Sequence, residues 1–417
     1  MEIGIGIVAG FGIVIGAIFF VVRVIGKRRH ISRLFSLRPL AIHLSQQVSE
    51  EEEKQDVLKE INRSSQLLGA LANLKIPFVL EAAVSNVGED IIFYLSVPES
   101  ALAFAANQIH GLWPEAQVEA AHEFTIFQAD GAAAGAYLTA SHSEVLPIRT
   151  YAEAELDTFA PILSNLANVG LVGEGLAIQV LVRPAPRSAK EKTSKAIYEL
   201  KKGKNLSEVL HESFLKSVRE AMETTGKDNR IENRTQLVVD EEAVKALTQK
   251  ISKPLFEVNV RLVSGAVSPF QADALLDNLA GSFSQFSAPM RNEFRVVKPR
   301  NQNRFMFHYT MREFDSKTAI LLNTEEVASI FHLPTRGTNV PKVKWLKAKE
   351  APPPTSLPTA GVNIGESVFR GEAKPIYLTE EDRRRHVYVV GQTGTGKSTL
   401  LTNMAVDDIR KGKGVAV

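Results

Sequence analysis

The sequence contains no cysteine, and this absence limits the chemistry that the chain can carry. Disulfide bridges, thiolate metal sites and a cysteine nucleophile are excluded. The nine histidines are scattered along the chain and suggest no metal site. The H-E-x-x-H pattern of zinc peptidases and the G-x-S-x-G pattern of serine hydrolases do not occur either. These enzyme classes therefore find no support in the sequence.

An excess of charge of one sign is also lacking. A formal net charge of +2 over 417 residues is too small to predict a nucleic-acid partner by itself. The hydrophobic fraction of 44% and the charged fraction of 23% are those of an ordinary globular protein. A chain of this length has room for two or three domains, each with its own core.

The N-terminal 26 residues predict a membrane anchor. No residue between Ile3 and Val22 is charged, and about 20 apolar residues at a rise of about 1.5 Å each span a hydrocarbon core. Arginines and lysines follow this stretch, whereas Glu2 is the only charge before it. The positive-inside rule then predicts a single-pass protein of the inner (cytoplasmic) membrane, with the bulk of the chain in the cytoplasm. A cleaved signal peptide is the alternative interpretation.

Residues 27–48 are predicted to form a basic juxtamembrane connector. Such a segment either lies on the anionic inner leaflet or simply leads away from the bilayer. Ser49 and Glu52 then form a capping box, which predicts that a helix starts there and continues through the apolar face formed by Val57, Leu58, Ile61, Leu68 and Leu71.

The next three hundred residues predict two α+β modules, at 49–150 and 151–340. Each module follows the order helix, two strands, helix, strand. The predicted strands are 78–85, 91–97 and 118–127 in the first module and 176–183, 256–263 and 294–297 in the second. This order predicts duplicated α+β modules that lie side by side, each with helices on one face of an antiparallel sheet.

Two segments of the second module allow more than one interpretation. The insertion 187–253 has the spacing of helical arms, and its lysines favour a solvated surface over a nucleic-acid site. Between Arg291 and Arg312, basic residues alternate with aromatic ones, a composition that suits single-stranded nucleic acid. The period of two from Phe305 to Met311 instead favours a half-buried core strand, which is the preferred interpretation.

A proline-rich linker at 341–360 precedes a predicted nucleotide-binding region at 361–417. In that region, residues 362–369 and 376–378 suggest a small hairpin, and Thr379 with Asp382 suggests a short capped helix. Residues 391–398 read GQTGTGKS, which matches the phosphate-binding P-loop G-x-x-x-x-G-K-S. A short buried strand at 386–390 and a helix that ends near Gly412 complete the expected strand–loop–helix context.

The glycines of this loop allow backbone N–H groups to approach phosphate oxygens at a helix N-terminus. Lys397 is expected to reach the β- and γ-phosphates as the catalytic residue, and the Ser398 hydroxyl to ligate Mg²⁺. The predicted cofactors are therefore ATP and Mg²⁺, and a glycine-rich turn without a ligand is the alternative. The predicted nucleotide-binding residues are Gly391, Gln392, Thr393, Gly394, Thr395, Gly396, Lys397, Ser398 and Thr399.

The runs 361–365 (GVNIG), 375–378 (PIYL) and 383–401 (RRRHVYVVGQTGTGKSTLL) resemble the opening of the HerA/FtsK superfamily of P-loop motor ATPases. Within that superfamily, the chain is most similar to membrane-anchored type IV secretion and conjugative coupling ATPases. The resemblance implies the start of a P-loop α/β domain and a hexameric ring of identical subunits that hydrolyses ATP and moves DNA or a DNA–protein substrate. The resemblance covers about the last seventh of the chain, and the earlier part is similar in layout alone.

Members of this superfamily carry an acidic pair on a later strand and an arginine supplied by the neighbouring subunit, and neither can be assigned before Val417. We therefore expect the chain to be a fragment of a longer ATPase that does not turn over ATP by itself. Two alternatives remain open. One is an ATPase that moves protein in a secretion or pilus assembly system, and the other is a non-enzymatic membrane scaffold with a nucleotide-sensing P-loop.

Overall fold

The computed structural model describes residues 37–45, 57–87, 90–121, 124–170, 172–206, 208–209, 240–346, 353–354, 356–369 and 372–416. These residues form two compact units, the first ending at Trp345 and the second beginning at Leu346. The predicted anchor at Ile3–Val22 and the capping box of Ser49 and Glu52 lie outside the described residues. Within the described ranges, no helix has both the length and the apolar character needed to cross a membrane.

The first unit alternates strands and helices along the chain. Its elements are β1 (Leu37–His43), α1 (Val57–Ala72), β2 (Phe78–Val84), β3 (Ile91–Pro98), α2 (Leu102–Leu112), β4 (Gln117–Ala120), β5 (Ala132–Ala140), α3 (Tyr151–Ala154), α4 (Ala160–Ala167), β6 (Gly175–Pro184), α5 (Arg187–Lys201), α6 (Glu241–Ser252), β7 (Leu255–Ala266), α7 (Pro269–Gly281), β8 (Phe294–Val297), α8 (Gln302–Thr310), β9 (Ile320–Asn323) and α9 (Thr324–Ile330). Short 3₁₀ turns at Glu99–Ala101 and Ser282–Phe286 precede α2 and follow α7.

The nine strands form one antiparallel sheet in the order β4-β1-β3-β2-β6-β7-β5-β8, and β9 pairs with the first residues of β7. Strands β1 to β4 and strands β5 to β8 each follow the split βαβ arrangement, in which the third strand lies between the first and the second. The two halves meet where β2 pairs with β6, from Phe78 opposite Val182 to Val84 opposite Leu176. The predicted α+β architecture is confirmed, and its two modules share a single continuous sheet.

The main core lies on one face of this sheet. Successive side chains of a strand point to opposite faces, so the apolar residues at every second strand position share this face. In β2 these residues are Phe78, Leu80, Ala82 and Val84, and β6 and β7 contribute corresponding rows. Helices α1, α2, α4 and α7 cover this face with residues such as Ile61, Ile109, Leu163 and Leu276. The same core cluster includes both halves, so neither half has a separate hydrophobic core.

The opposite face carries a smaller apolar cluster under α8 and the segment 124–127. The prediction of a core strand from Phe305 to Met311 is wrong, since these residues belong to α8 and the turn after it. Phe305 and Tyr309 are four residues apart, so they lie on the same side of the helix and are buried against the sheet. A side chain at Gly135 of β5 would overlap the Phe305 ring, so the glycine permits this close packing.

Three further expectations differ from the structure. The predicted connector 27–48 includes β1, in which Arg38 and Pro39 precede the alternating apolar residues Leu40 and Ile42. The second half begins with β5 at Ala132, upstream of the predicted module boundary at 151. The apolar residues Leu156, Phe159, Ile162, Leu163 and Leu166 have the spacing of one helix, but Glu155 adopts a left-handed conformation and α4 begins at Ala160.

Helices α5 and α6 lie in the segment predicted as an insertion and pack together around Leu200 and Leu247. The end of α6 is fixed by a buried lysine. Lys250 Nζ donates hydrogen bonds to Leu146 O at 2.9 Å, to Leu321 O at 2.7 Å and to Glu326 Oε1 at 3.2 Å. Glu326 also completes the capping box of α9 together with Asn323.

The second unit contains a hairpin and two helices in its described residues. The hairpin consists of β10 (Val362–Phe369) and β11 (Glu372–Leu378), and the helices are α10 (Glu380–Arg384) and α11 (Lys397–Arg410). Thr379 caps α10 by accepting a hydrogen bond from the Asp382 amide, as its sequence predicts. Gly412 follows α11 with φ +74°, which agrees with the predicted helix end.

Candidate functional site

The P-loop residues 391–398 form an exposed turn that leads directly into α11. Gly394 and Gly396 have φ values of +85° and +90°, a region that glycine adopts without steric cost. Gly396 is the N-cap of α11, and no side chain caps the helix there. Because the first N–H groups of a helix have no partner within the helix, this end offers donors and a partial positive charge to an anion.

Lys397 occupies the first position of α11, and its side chain folds back over the loop. Its Nζ donates hydrogen bonds to Gly391 O and Gln392 O, both at 2.6 Å. The Thr395 hydroxyl donates to Gln392 O at 2.7 Å, which closes the turn from the other side. The ammonium group therefore lies over the loop, where phosphate oxygens could replace the two carbonyl oxygens as acceptors.

The remaining predicted contact residues lie in the same loop and in the first turn of the helix. Gln392 and Thr393 are exposed in the loop, and Ser398 and Thr399 are exposed at the start of α11. All nine predicted nucleotide-binding residues are thus brought together in one exposed segment. The donor set fits a triphosphate with its metal, because backbone amides and an ammonium suit phosphate and an exposed hydroxyl suits Mg²⁺.

Ion pairs hold α11 within the second unit. Arg383 donates to both carboxylate oxygens of Asp408, and its Nη1 lies 2.8 Å from Oδ1. This hydrogen-bonded pair holds the pKa of Asp408 below its ordinary value and raises the pKa of Arg383. Lys413 pairs with Glu380 at 3.0 Å, and Lys411 Nζ donates to Gly361 O at 3.0 Å. The C-terminal end of α11 is therefore tied to neighbouring elements.

By its sequence alone, the arginine triplet 383–385 favours a charged turn, with contact to phosphate or to a neighbouring subunit as the alternative. In the structure, Arg383 pairs with Asp408, and Arg385 pairs with Glu381 at 3.0 Å. The pairing of Arg383 with Asp408 was missed, because the two residues are 25 positions apart and no local pattern connects them.

The prediction of a buried strand at 386–390 is wrong. The segment forms no strand, and Val387, Tyr388 and Val390 are 43%, 92% and 77% exposed. A strand requires a neighbour with which to exchange backbone hydrogen bonds, and the described part of the second unit provides none for this segment. The apolar residues that predicted burial instead form part of the surface of the second unit.

Comparison with family models adds one finding. Residues 83–346 match a family described as "Domain of unknown function (DUF8128)", and the match covers more than half of the chain. The chain belongs to this family. The DUF8128 match lies mostly in the first unit and does not include the P-loop, which begins at Gly391. No curated protein matches the chain.

Proposed function

We propose that this protein is a membrane-anchored, ATP-binding motor protein of the type IV secretion or conjugation kind, which moves DNA or a DNA–protein substrate. The anchor is the predicted transmembrane helix at residues 3–22, and the predicted assembly is a ring of identical subunits. The DUF8128 region supplies the α+β body that precedes the nucleotide-binding unit.

The observation that supports nucleotide binding most strongly is the conformation of residues 391–398. Two glycines with positive φ, an uncapped start of a helix of 14 residues and the ammonium of Lys397 converge on the same loop. Each of these features favours an anion, and together they match the requirements of a polyphosphate. Bound magnesium-ATP would supply the phosphoanhydride whose hydrolysis drives movement. Lys397 and the loop amides would hold the phosphates, and Ser398 would hold the metal.

Isothermal titration calorimetry of the full chain with magnesium-ATP tests the proposal. We expect Lys397→Ala to weaken binding by about tenfold to hundredfold, because a hydrogen bond to a charged group contributes about 1.5–3 kcal/mol. Arg410→Ala is the matched control. Arg410 lies in the last turn of the same helix, about 20 Å from Lys397 at the usual rise of an α-helix.

Equal affinity of the Lys397→Ala variant and the unaltered chain would contradict the proposal, as would an unaltered chain that binds no magnesium-ATP. The two alternative functions predict other outcomes. A motor for protein substrates would bind nucleotide but would show no salt-dependent affinity for DNA. A nucleotide-sensing scaffold would bind magnesium-ATP, but no form of the protein would hydrolyse it.

A further inference from the structure

We propose that the outer side of α8 and the adjoining edge strand β8 bind single-stranded nucleic acid. The surface consists of Arg295, Arg300, Arg304 and Phe307, and we call it the α8 surface. The inference rests on the proposed function for the choice of a nucleic acid as partner. It places that contact in the first unit.

The first argument is the distribution of carboxylates around this basic segment. Arg291 Nη2 lies 3.0 Å from Glu153 Oε1, and Lys298 Nζ lies 2.9 Å from a carboxylate oxygen of both Asp273 and Asp277. These two cations are already neutralised. The segment looks uniformly basic in sequence, but in the structure some of its cations pair with carboxylates and others do not.

Of the remaining four cations, Arg312 pairs with Glu81, and the other three are exposed. Among the described residues, no carboxylate pairs with Arg295, Arg300 or Arg304. The formal net charge of the whole chain is +2, whereas these three guanidinium groups alone carry +3. Three exposed guanidinium groups without carboxylate partners are what a surface that binds phosphates requires.

The second argument is an aromatic side chain that faces solvent. Phe305 and Tyr309 are 8% and 5% exposed and attach α8 to the sheet, but Phe307 is 55% exposed. Arg304 precedes Phe307 by three positions, so the two side chains lie next to each other on the outer side of the helix. An exposed ring beside a guanidinium group can stack on a base while the guanidinium contacts the phosphate.

The side chain of Arg304 is held in place by its neighbours. Arg304 Nε donates to His308 Nε2 at 3.2 Å, and His308 Nδ1 lies 2.6 Å from Glu313 Oε2. The tautomer with hydrogen on Nδ1 satisfies both contacts, because Nε2 then accepts and Nδ1 donates. Asn301 also accepts a hydrogen bond from the Arg304 amide at 2.9 Å and caps the helix. His308 and Glu313 are therefore positioning residues of the α8 surface.

A single strand fits this surface better than a duplex, because stacking on Phe307 requires a base that is free of its partner. Arg295 lies on β8 opposite Thr139 of β5, at the edge of the sheet, and Arg300 lies between β8 and α8. The cations therefore come from the strand, the connection and the helix in succession. This succession gives the phosphate backbone a continuous basic path.

Fluorescence anisotropy with a labelled oligothymidylate of about 16 nucleotides, the upper end of common site sizes, tests the inference on the full chain. We expect Phe307→Ala to weaken binding by about fivefold to hundredfold without changing the salt dependence, as loss of a stacked base predicts. Arg300→Ala and Arg304→Ala should each weaken binding. Each should also reduce the slope of log affinity against log salt by about 0.7, the value for one phosphate contact with a single strand.

Two matched controls are available in the same unit. Lys298→Ala removes a cation that two aspartates already neutralise, and Phe270→Ala removes a ring that is 84% exposed at the start of α7. Phe270→Ala should bind the oligonucleotide as the unaltered chain does, and Lys298→Ala should leave the salt slope unchanged because Lys298 contacts no phosphate. Lys397→Ala should also keep oligonucleotide affinity, so the two proposals can fail separately.

Unchanged affinity in the Phe307→Ala and Arg304→Ala variants would overturn the inference. Displacement of the oligonucleotide by polyglutamate at the same concentration would overturn it as well, since it would identify the surface as a site for acidic protein. Thermal melting confirms that each variant is folded, and Arg304→Lys provides a second check. Lysine keeps the charge but lacks the Nε–H group that Arg304 donates to His308, so its side chain is not held in the same orientation. This variant should therefore retain the salt slope but bind with reduced affinity.

Discussion

His43, near the end of β1, is a buried imidazole with an incomplete set of hydrogen bonds. Its ring is 5% exposed, and its Nδ1 has no hydrogen-bond partner. Nε2 lies 3.4 Å from a carboxylate oxygen of Glu119, whose side chain is largely exposed. Burial and the nearby charge of Lys344 lower the pKa of His43, and the attraction of Glu119 does not compensate for them. The folded protein therefore favours the neutral ring.

A pH dependence of stability follows from this histidine. The unfolded chain binds a proton at His43 more readily than the folded chain does, so the free energy of unfolding should fall as the pH drops below about 6.5. The slope from one such group is at most about 1.4 kcal/mol per pH unit. Urea unfolding at a series of pH values from 5 to 8 measures it. His43→Gln should flatten the curve in this range, whereas His142→Gln, at an exposed position, should leave it unchanged.

At this scale, the sequence was informative wherever one residue determines local geometry. Ser268 caps α7, Thr379 caps α10 and Gly412 follows α11, as their chemistry predicts. His43 was not predictable in this way. Its burial depends on the pairing of β1 with β3 and β4, which are distant in sequence.

Among the elements, α6 and α9 depend on one buried charged pair. Lys250 and Glu326 are both almost completely buried, and Glu326 also accepts hydrogen bonds from the Ile148 and Asn323 amides. Burial lowers the pKa of Lys250 and raises that of Glu326, although the attraction between the two groups opposes both shifts. The pair joins the end of α6 to the start of α9 and to the segment before α3.

Removal of one partner should destabilise the first unit strongly. We expect Lys250→Met to lower the free energy of unfolding by about 3–5 kcal/mol, because it leaves the Glu326 carboxyl buried without its cation. Lys245→Met, at an exposed position of the same helix, should have little effect. Adding Glu326→Gln to Lys250→Met should recover part of the loss, since glutamine keeps an acceptor oxygen without the charge. Chemical denaturation of these three variants and the unaltered chain measures the changes, and no recovery in the double variant would contradict this account.

Periodicity predicted the elements well where one face of an element is apolar, and less well where two patterns compete. The strands at 256–263 and 294–297 and the helix after Ser398 were recognised because their apolar spacing is regular. The residues 305–311 show apolar side chains at both a period of two and a spacing of four. Here, the helix prevails, because Gly135 allows Phe305 to approach the sheet and Asn301 caps the helix.

At the largest scale, the pairing of β2 with β6 joins the two halves of the nine-stranded sheet. A buried polar network lies on the α8 side of this junction. The amide of Gln179 donates to Glu81 Oε1 at 2.8 Å and to Tyr309 O at 3.0 Å, and its oxygen accepts from Arg261 at 3.1 Å. Arg312 Nε donates to Glu81 Oε2 at 2.8 Å. The network thus links the first half, the second half and α8.

Substitution of the central glutamine should therefore affect both halves together. We expect Gln179→Leu to lower the free energy of unfolding by about 3 kcal/mol, because Glu81 and Arg261 each lose a buried hydrogen-bond partner. Hydrogen exchange should accelerate in β1–β4 as well as in β5–β8, since one core cluster includes both. Gln117→Leu on the edge strand β4 is the control. Acceleration confined to one half would show that the halves unfold independently.

Element order in the sequence predicted the repeat, but it did not predict that the two sheets merge. Pairing of β2 with β6 depends on two strands about a hundred residues apart, and local patterns carry no information on such partners. The candidate site is the opposite case. All nine of its predicted residues are consecutive, so the local sequence was sufficient to bring them together.

The merged sheet has a practical consequence for anyone who wishes to produce this family region alone. The DUF8128 match begins at Ala83, the sixth of the seven residues of β2. A polypeptide trimmed to those limits would lose β1, α1 and nearly all of β2, and would expose the unpaired rims of β3 and β6. Unpaired strand edges of this kind pair with other chains and promote aggregation. The matched segment thus begins inside the continuous sheet, and a recombinant fragment that keeps the sheet whole should start upstream of Leu37.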